Sequence, residues 1–272
     1  MDKKVCYTGC MIISASRRTD IPAWYSAWFF DQLSEGKFVS RNPMRPSMEK
    51  IIPLSEVDGF VFWTKNPLPM IKELGRISNW PWYFQFTLTP YGRDMEPHLP
   101  NKKTELLPAM EALGRERAVW RYDPIVVTEK YSVAYHLHAF EAMAQRLSGF
   151  ECVISLVDMY RDTARKLAPL SPVPLERQIK DDLLGGIADI GQKYGLDLRA
   201  CCEPGLFQPG RCIDTDRLSR IAGRAIIAAK DKNQRKGCGC AASMDIGSYG
   251  TCKTGCLYCY ARPVPMEKDI HM

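Results

Sequence analysis

The sequence predicts an α/β fold, in the form of a partial (β/α)6 TIM-like barrel with an inserted β-hairpin and a C-terminal cysteine-rich segment. Two observations predict this fold. Six short runs of apolar, β-branched or aromatic residues recur along the 272 residues, and helix-like stretches separate them. Strands that alternate with helices form βαβ units and a parallel sheet. Because a closed barrel of this type has eight such units, six units predict a partial barrel.

The strand-like runs are followed by polar clusters and then by helical patterns. The runs are MIISAS (11–16), GFVFW (59–63), WYFQFTLT (82–89), AVWRY (118–122), CVISLVD (152–158) and LDLRACC (196–202). Helix-like stretches cover 21–36, 69–77, 102–114, 132–149, 174–195 and 214–230, with Ser132 as an N-cap and Gly36, Gly149 and Gly195 near helix ends. Residues 37–54 have two strand-like pieces around a proline-containing turn, which predicts a hairpin or lid.

The charge balance excludes one class of partner and favours another. Lys and Arg exceed Asp and Glu by 37 − 31 = 6, and the excess is scattered along the chain. This pattern argues against nucleic acid and is compatible with an anionic ligand. No apolar run approaches the roughly 18 residues of a membrane span, and the first residues lack the apolar stretch of a signal peptide. We therefore expect a cytoplasmic protein without a membrane partner.

Charged residues follow the predicted strands, at the end where parallel βα folds bind their ligands. Arg17 follows the first run and Lys65 the second. Arg121 and Asp123 end the fourth run, and Asp158 ends the fifth. Because an unpaired buried charge is expensive, each of these residues needs a partner or a ligand. The set predicts a catalytic pocket for carboxylate, phosphate or ribose groups, and the alternative is a structural network of salt bridges.

Eleven cysteines are many for a protein of a reducing compartment, and eight of them lie in the last 72 residues. Cys252, Cys256 and Cys259 are spaced C-x-x-x-C-x-x-C, whereas Cys6 and Cys10 lie in a short leader. Thiolates select zinc, copper(I) or iron–sulfur clusters. Zinc sites usually have four ligands in paired knuckles, but three cysteines on a [4Fe–4S] cubane leave one iron open. The spacing therefore favours a cluster, with zinc as the alternative.

The three cysteines, together with Tyr258 directly before the last of them, match the signature of radical S-adenosylmethionine (SAM) enzymes. The resemblance implies that Cys252, Cys256 and Cys259 hold a [4Fe–4S] cluster whose open iron binds the amino and carboxylate groups of SAM. It also implies that Tyr258 lies against the adenine. The common core of that superfamily is a six-stranded partial barrel. Its motif follows the first strand, however, whereas here it follows the sixth, and a clear Gly-Gly-Glu segment is absent.

The chain as a whole resembles an uncharacterised prokaryotic family, domain of unknown function 1848. The resemblance covers nearly all of Ile12 to Ala261 and is carried by SASRRTDIPAWYS, FVFWTKNP, YFQFTLTPYG, WRYDPI, KDKNQRKGCGC and DIGSYGTCKTGCLYCYA. The family brings no established reaction. Because the two chain ends can lie close together in a barrel, we expect an iron–sulfur-binding segment, residues 231–265, to pack on the mouth of a barrel formed by residues 11–230.

Five further cysteines precede the motif: Cys201, Cys202, Cys212, Cys238 and Cys240. Four of them would suffice for a second [4Fe–4S] cluster. Our candidate ligands are Cys202, or its neighbour Cys201, together with Cys212, Cys238 and Cys240. The alternatives are one zinc site or a few free buried thiols. Cys152, in an apolar run, is expected to pack as a small hydrophobe.

These observations together predict an iron–sulfur enzyme that uses radical SAM chemistry on a small, anionic substrate. A reductase such as flavodoxin or ferredoxin would supply the electron. Arg17, Lys65 and Arg121 would bind anionic groups of SAM or substrate. Asp123 and Asp158 would anchor a ribose or an amine, or move a proton. Two alternatives stay open: an iron–sulfur protein that transfers electrons or activates a substrate without SAM, and a zinc-stabilised binding module.

Overall fold

The computed structural model describes residues 10–201, 205, 207–235 and 237–261. The strands are β1 (Met11–Ala15), β2 (Lys37–Asn42), β3 (Arg45–Pro53), β4 (Val57–Thr64), β5 (Trp82–Thr87), β6 (Ala118–Ile125), β7 (Glu151–Leu156), β8 (Asp197–Ala200), β9 (Gln208–Pro209) and β10 (Met244–Asp245). The helices are α1 (Ile21–Trp24), α2 (Ser26–Ser34), α3 (Leu68–Ile71), α4 (Leu107–Arg117), α5 (Val133–Arg146), α6 (Arg161–Leu167), α7 (Arg177–Lys193) and α8 (Thr215–Ala222). In this part of the chain, none of the helices combines the length and apolarity needed to cross a bilayer.

The main sheet has eight strands in the order β10-β1-β4-β5-β6-β7-β8-β9. Every neighbouring pair in it is parallel. The α/β class predicted from the sequence is therefore confirmed, and each of the six predicted runs contributes a strand. The two extra strands, β9 and β10, have two residues each and lie at the sheet edges, so they leave no periodic pattern in the sequence. No pairing among the described residues joins these two edges.

Successive side chains of a strand point to opposite faces of the sheet, and here both faces are covered. Phe60 and Phe62 on β4 lie on one face, where Phe29 of α2 packs against both rings at 5.5 and 5.3 Å between centroids. Val61 and Tyr83 belong to a second core on the other face. That second core also contains α8 and three buried cysteines, Cys212, Cys238 and Cys240. Cysteine side chains thus occupy the face opposite most of the helices.

Residues 37–53 form the hairpin that the sequence predicts. β2 and β3 are antiparallel and make a separate two-stranded sheet. Phe38 and Ile52 anchor it because both are fully buried in the first core. The Ser40 hydroxyl donates a hydrogen bond of 2.7 Å to the backbone carbonyl of Asp245 in β10. The hairpin therefore contacts the C-terminal segment, and its action as a lid stays a prediction.

Three of the predicted helical stretches are shorter than the sequence pattern indicates or are divided. In the stretch 69–77, α3 ends at Ile71 and a separate 3-10 turn covers Leu74–Ile77. The stretch 21–36 is divided between α1 and α2 at Tyr25, whose φ of −136° is not helical. The stretch 214–230 ends as a helix at Ala222, because Gly223 adopts a left-handed conformation with φ of +63°. The apolar residues that follow Gly223 continue the hydrophobic pattern, but they do not continue the helix.

Candidate functional site

A cavity of about 330 Å³ lies at the carboxyl ends of the parallel strands. It is lined by all five residues predicted to be catalytic, by the predicted adenine contact and by six of the seven predicted metal ligands: Arg17, Lys65, Arg121, Asp123, Asp158, Tyr258, Cys212, Cys238, Cys240, Cys252, Cys256 and Cys259. The seventh predicted ligand, Cys202, lies outside the described residues, as does Cys6. The neighbouring Cys201 lines the cavity. The structure thus brings these residues to one place, and their roles stay predictions.

The C-terminal segment reaches the cavity beside the first strand, where β10 pairs with β1. Asp245, at the end of β10, accepts a hydrogen bond of 2.6 Å from the Ser16 hydroxyl and one of 2.8 Å from the Arg17 backbone N–H. The Tyr260 hydroxyl donates to the Arg17 carbonyl at 2.9 Å. The two ends of the chain therefore meet at the same rim of the sheet. The boundary between residues 11–230 and 231–265 stays a prediction, and residues 262–265 lie outside the described chain.

Cys252, Cys256 and Cys259 lie on one loop, residues 252–259, which we call the three-cysteine loop. All three cysteines line the cavity. Burial raises the pKa of the Cys256 and Cys259 thiols above the ordinary value. Deprotonation of these thiols therefore needs a compensating positive charge, and a bound metal centre supplies one.

Among residues 10–201, 205, 207–235 and 237–261, no three His, Cys, Asp or Glu side chains are grouped so that they could hold a metal ion. The ligand of the three-cysteine loop, an iron–sulfur cluster or zinc, therefore stays a prediction.

Contacts on both sides hold the three-cysteine loop in place. The indole Nε1 of Trp24 donates a hydrogen bond of 2.9 Å to the Thr254 hydroxyl. The backbone N–H of Leu257 donates to the Met95 carbonyl at 3.0 Å. Gly255 has a φ of +74°, a left-handed conformation that favours glycine. The loop is therefore fixed between the helix that follows β1 and the segment that follows β5.

A buried glutamate, which the sequence analysis did not single out, anchors Tyr258. Glu96 is 2% exposed and accepts hydrogen bonds from the Tyr258 hydroxyl, from Lys65 Nζ at 2.8 Å and from Lys102 Nζ. Burial alone would raise the pKa of Glu96, but the two ammonium groups hold it below its ordinary value. Lys65 Nζ also lies 5.2 Å from the centre of the Tyr258 ring. A single glutamate in a loop has no spacing signal, so only the fold reveals it.

Arg121 and Asp123 form a buried ion pair at the end of β6. The Arg121 guanidinium also donates to Gln85 Oε1 at 3.2 Å and to Cys212 Sγ at 2.8 Å. Burial alone would raise the pKa of Asp123, but Arg121 and a hydrogen bond of 2.6 Å from the Ser155 hydroxyl hold it below the ordinary value. Asp123 is therefore kept ionised at the wall of the cavity.

The cationic residues of the cavity differ in how they are paired. Lys65 and Arg121 each have a carboxylate partner, and this pairing agrees with the alternative of a structural network of salt bridges. Asp158, at the rim, is about half exposed and is paired with a rim arginine. The Arg17 guanidinium lies over the ring of Trp63 at 5.0 Å, and its Nη2 is buried without a hydrogen-bond acceptor in the described part of the chain. Among the three cations predicted to bind a ligand, Arg17 is thus the one whose guanidinium can still donate a hydrogen bond to that ligand.

These features define an α/β protein whose parallel sheet has a charged, cysteine-rich cavity at its strand ends. The chain belongs to the family described as Domain of unknown function (DUF1848), whose sequence profile matches residues 12–261. The family membership predicted from the sequence is thus confirmed. No curated protein and no solved structure matches the chain. Function must therefore be argued from the site itself.

Proposed function

We propose that this protein is a radical SAM-like enzyme that holds a [4Fe–4S] cluster on the three-cysteine loop and binds SAM at the open iron. The observation that carries the proposal is that the three-cysteine loop and the charged strand ends line one cavity. A volume of about 330 Å³ lies within the range of small-molecule sites. The open, parallel sheet is compatible with a partial (β/α)6 barrel, which forms part of the proposal.

When bound, the cluster and SAM together supply the reductive cleavage that yields methionine and a 5′-deoxyadenosyl radical able to abstract hydrogen from a substrate. The protein's part is to hold both molecules in place. Tyr258 is fixed by Glu96 through its hydroxyl, so its ring is a rigid surface, and we assign it to the adenine. Arg17 has a buried nitrogen without an acceptor, which suits a carboxylate of SAM or an anionic group of the substrate.

The carboxylates of the cavity have a separate role in this proposal. Asp123 is held ionised by Arg121, and one of its oxygens accepts the Ser155 hydroxyl. An ionised carboxylate at a strand end accepts hydrogen bonds from ribose hydroxyls or from an amine. Asp158, at the exposed rim, would do so for a group near the entrance. Lys65 and Arg121 act mainly by keeping Glu96 and Asp123 ionised.

The cavity also indicates the class of the other partners. Arg17, whose guanidinium has a buried nitrogen without an acceptor in the described residues, lines it, so we propose a small, anionic substrate. The chain needs an electron donor, which we take to be a flavodoxin or a ferredoxin. We place the protein in the cytoplasm, where thiols are kept reduced and available for cluster assembly.

A product assay tests the proposal. Protein reconstituted without oxygen is incubated with SAM and dithionite, and 5′-deoxyadenosine and methionine are measured by liquid chromatography with mass spectrometry. We expect both products in equal amounts, even in the absence of the natural substrate. Cys256→Ala should abolish both. Cys10→Ala removes a thiol that does not line the cavity, so this matched variant should retain both products.

The same preparation separates the alternatives. A protein that binds an iron–sulfur cluster but forms neither product would favour electron transfer or direct activation of a substrate without SAM. A colourless protein with stoichiometric zinc would favour the zinc-stabilised binding module. The net charge of +6 is scattered along the chain, which argues against nucleic acid as the partner of such a module.

A further inference from the structure

Four cysteines outside the three-cysteine loop lie at one wall of the cavity. All four line it, and Cys201 packs against the second core, to which Cys212, Cys238 and Cys240 belong. They come from distant parts of the chain. Cys201 follows β8, Cys212 follows β9, and the other two precede β10. We call these four residues the thiol row.

The thiol row is part of the second core, on the face of the sheet opposite most of the helices. Cys212, Cys240 and Cys238 are 3%, 2% and 8% exposed. The row also lines the same cavity as the three-cysteine loop. Three buried thiols and that of the half-buried Cys201 are therefore present at a site that ligands can reach.

Guanidinium groups surround the thiol row. Arg121 Nη1 donates to Cys212 Sγ at 2.8 Å, and Arg235 Nη2 lies 3.9 Å from Cys201 Sγ. Arg17 lines the same cavity as the row. Such donors stabilise sulfur in its anionic form, which metal binding produces when it displaces the thiol protons. The surroundings of the row are thus suited to sulfur anions.

Two buried donors beside the row have no acceptor. Arg17 Nη2 and Trp63 Nε1 are both buried without a hydrogen-bond partner in the described residues. The Trp63 ring packs against the second core and lies between two guanidinium groups, with Arg17 and Arg121 each 5.0 Å from its centre. Buried donors in native proteins nearly always have an acceptor. Two such donors next to four thiols point to an anionic acceptor in the cavity.

We propose that Cys201, Cys212, Cys238 and Cys240 bind a second iron–sulfur cluster, whose sulfur atoms accept a hydrogen bond from Trp63. Four cysteines are the usual ligand set of a [4Fe–4S] cluster. Binding releases the four thiol protons. The inference does not depend on SAM or on the three-cysteine loop.

The deciding experiment removes the first cluster and asks whether iron remains. The Cys252→Ala, Cys256→Ala, Cys259→Ala triple variant is reconstituted without oxygen with ferrous iron and sulfide. Iron, acid-labile sulfide and zinc are then measured per chain. We expect about four irons and about four sulfides in the triple variant and about eight of each in the wild type. A folded triple variant without iron, or one with zinc in place of iron, would overturn the inference.

Variants of the row provide the converse test. Cys212→Ala with Cys240→Ala should halve the iron content and leave the first cluster, whereas Cys10→Ala should leave the full content. If the double variant does not fold by circular dichroism, the triple variant decides alone. Trp63→Phe should retain the iron but lower the reduction potential of the second cluster, because it removes a hydrogen bond to the sulfurs and such hydrogen bonds raise that potential. An unchanged potential would contradict the assigned contact.

These results also distinguish failure of this inference from failure of the proposed function. Iron that stays in the triple variant supports the second cluster, whatever the wild type does with SAM. Products formed from SAM by a wild-type protein with only about four irons would support the first cluster and contradict the second.

Discussion

Trp24 and Thr254 are joined by a hydrogen bond of 2.9 Å between indole Nε1 and the hydroxyl, although 230 residues separate them. The neighbouring Tyr25 hydroxyl donates to the Thr251 carbonyl at 2.6 Å. These two bonds attach the three-cysteine loop to the helix that follows β1. In the radical SAM superfamily the motif follows the first strand in sequence. Here a C-terminal loop lies at the equivalent end of the first strand in space, which supports the proposed function.

Gly247 allows the C-terminal segment to approach β1, and an alanine there should loosen it. A Cβ at this position would collide with the Ser16 hydroxyl and would lie 2.9 Å from Thr19 Cγ2. Ser16 has little freedom to move because its hydroxyl is bonded to Asp245. Overpacking of this kind costs about 1–3 kcal/mol. We expect Gly247→Ala to unfold at a lower temperature and to bind less iron after reconstitution.

Gly185 provides the matched control for this prediction. It lies inside α7, and a Cβ there would have no heavy atom within 4 Å. Alanine in a helix interior is more favourable than glycine by roughly 0.5–1 kcal/mol. Gly185→Ala should therefore unfold at the same or a higher temperature, with iron content unchanged. Equal unfolding temperatures for both variants would contradict the close approach at Gly247.

Glu96→Gln should destabilise the protein strongly, because it leaves Lys65 and Lys102 without a carboxylate partner. The Glu96 side chain is fully buried, whereas the two lysines keep 14% and 20% of their side-chain exposure. We expect a loss of about 3 kcal/mol, the lower end for a buried pair that loses one partner. Urea unfolding followed by circular dichroism measures it.

The exposed pair of Glu73 and Arg76 is the reference for that measurement. Their side chains are 40% and 42% exposed, and exposed pairs contribute only about 0–1 kcal/mol. Glu73→Gln should therefore change the free energy of unfolding by no more than that amount. Similar losses for Glu96→Gln and Glu73→Gln would show that the glutamate behind Tyr258 is not a structural anchor.

His136 should make stability depend on pH. It is fully buried, with Nδ1 2.9 Å from the Tyr122 hydroxyl and Nε2 3.0 Å from the Val126 carbonyl. Burial lowers the pKa of its ring below the ordinary value. The unfolded chain, with a pKa near about 6.5, therefore binds the proton more tightly than the folded protein. The contribution of His136 to the free energy of unfolding is complete above about pH 6.5. It decreases as the pH falls towards the pKa of His136 in the folded protein.

The measurement compares wild type and His136→Gln by urea unfolding between about pH 5 and pH 8. The difference in free energy of unfolding should shrink at the acid end, because only the wild type loses the histidine contribution there. His138→Gln, on the exposed side of the same helix, controls for the loss of a histidine. Parallel profiles for wild type and His136→Gln would refute the prediction.

The sequence predicts the six long strands because their apolar runs are flanked by clear turn and helix signals. It does not predict β9 and β10, which have two residues each and are fixed by pairing with distant strands. The end of α8 at Ala222 depends on the left-handed conformation of Gly223, which the continuing apolar pattern conceals. Local sequence patterns therefore predict the six longer strands, whereas long-range contacts decide the two short edge strands.

The same distinction holds for the candidate site. Arg17, Lys65 and Asp123 are predictable because they follow strands, and parallel strands bring their ends together. Glu96 is not predictable in this way, since nothing in its spacing shows that it accepts a hydrogen bond from the Tyr258 hydroxyl. The packing of Cys201 against the core that contains Cys212 is also invisible in the sequence, because the connection through β9 creates it.

Electron paramagnetic resonance of dithionite-reduced protein, purified without oxygen and measured with and without SAM, tests the central claim most directly. We predict a [4Fe–4S]⁺ signal whose shape changes when SAM is added. In the Cys252→Ala, Cys256→Ala, Cys259→Ala triple variant, the SAM-sensitive part should vanish, and a SAM-insensitive signal from the thiol row should remain. A wild-type signal that is identical with and without SAM, or zinc in place of iron, would contradict the account.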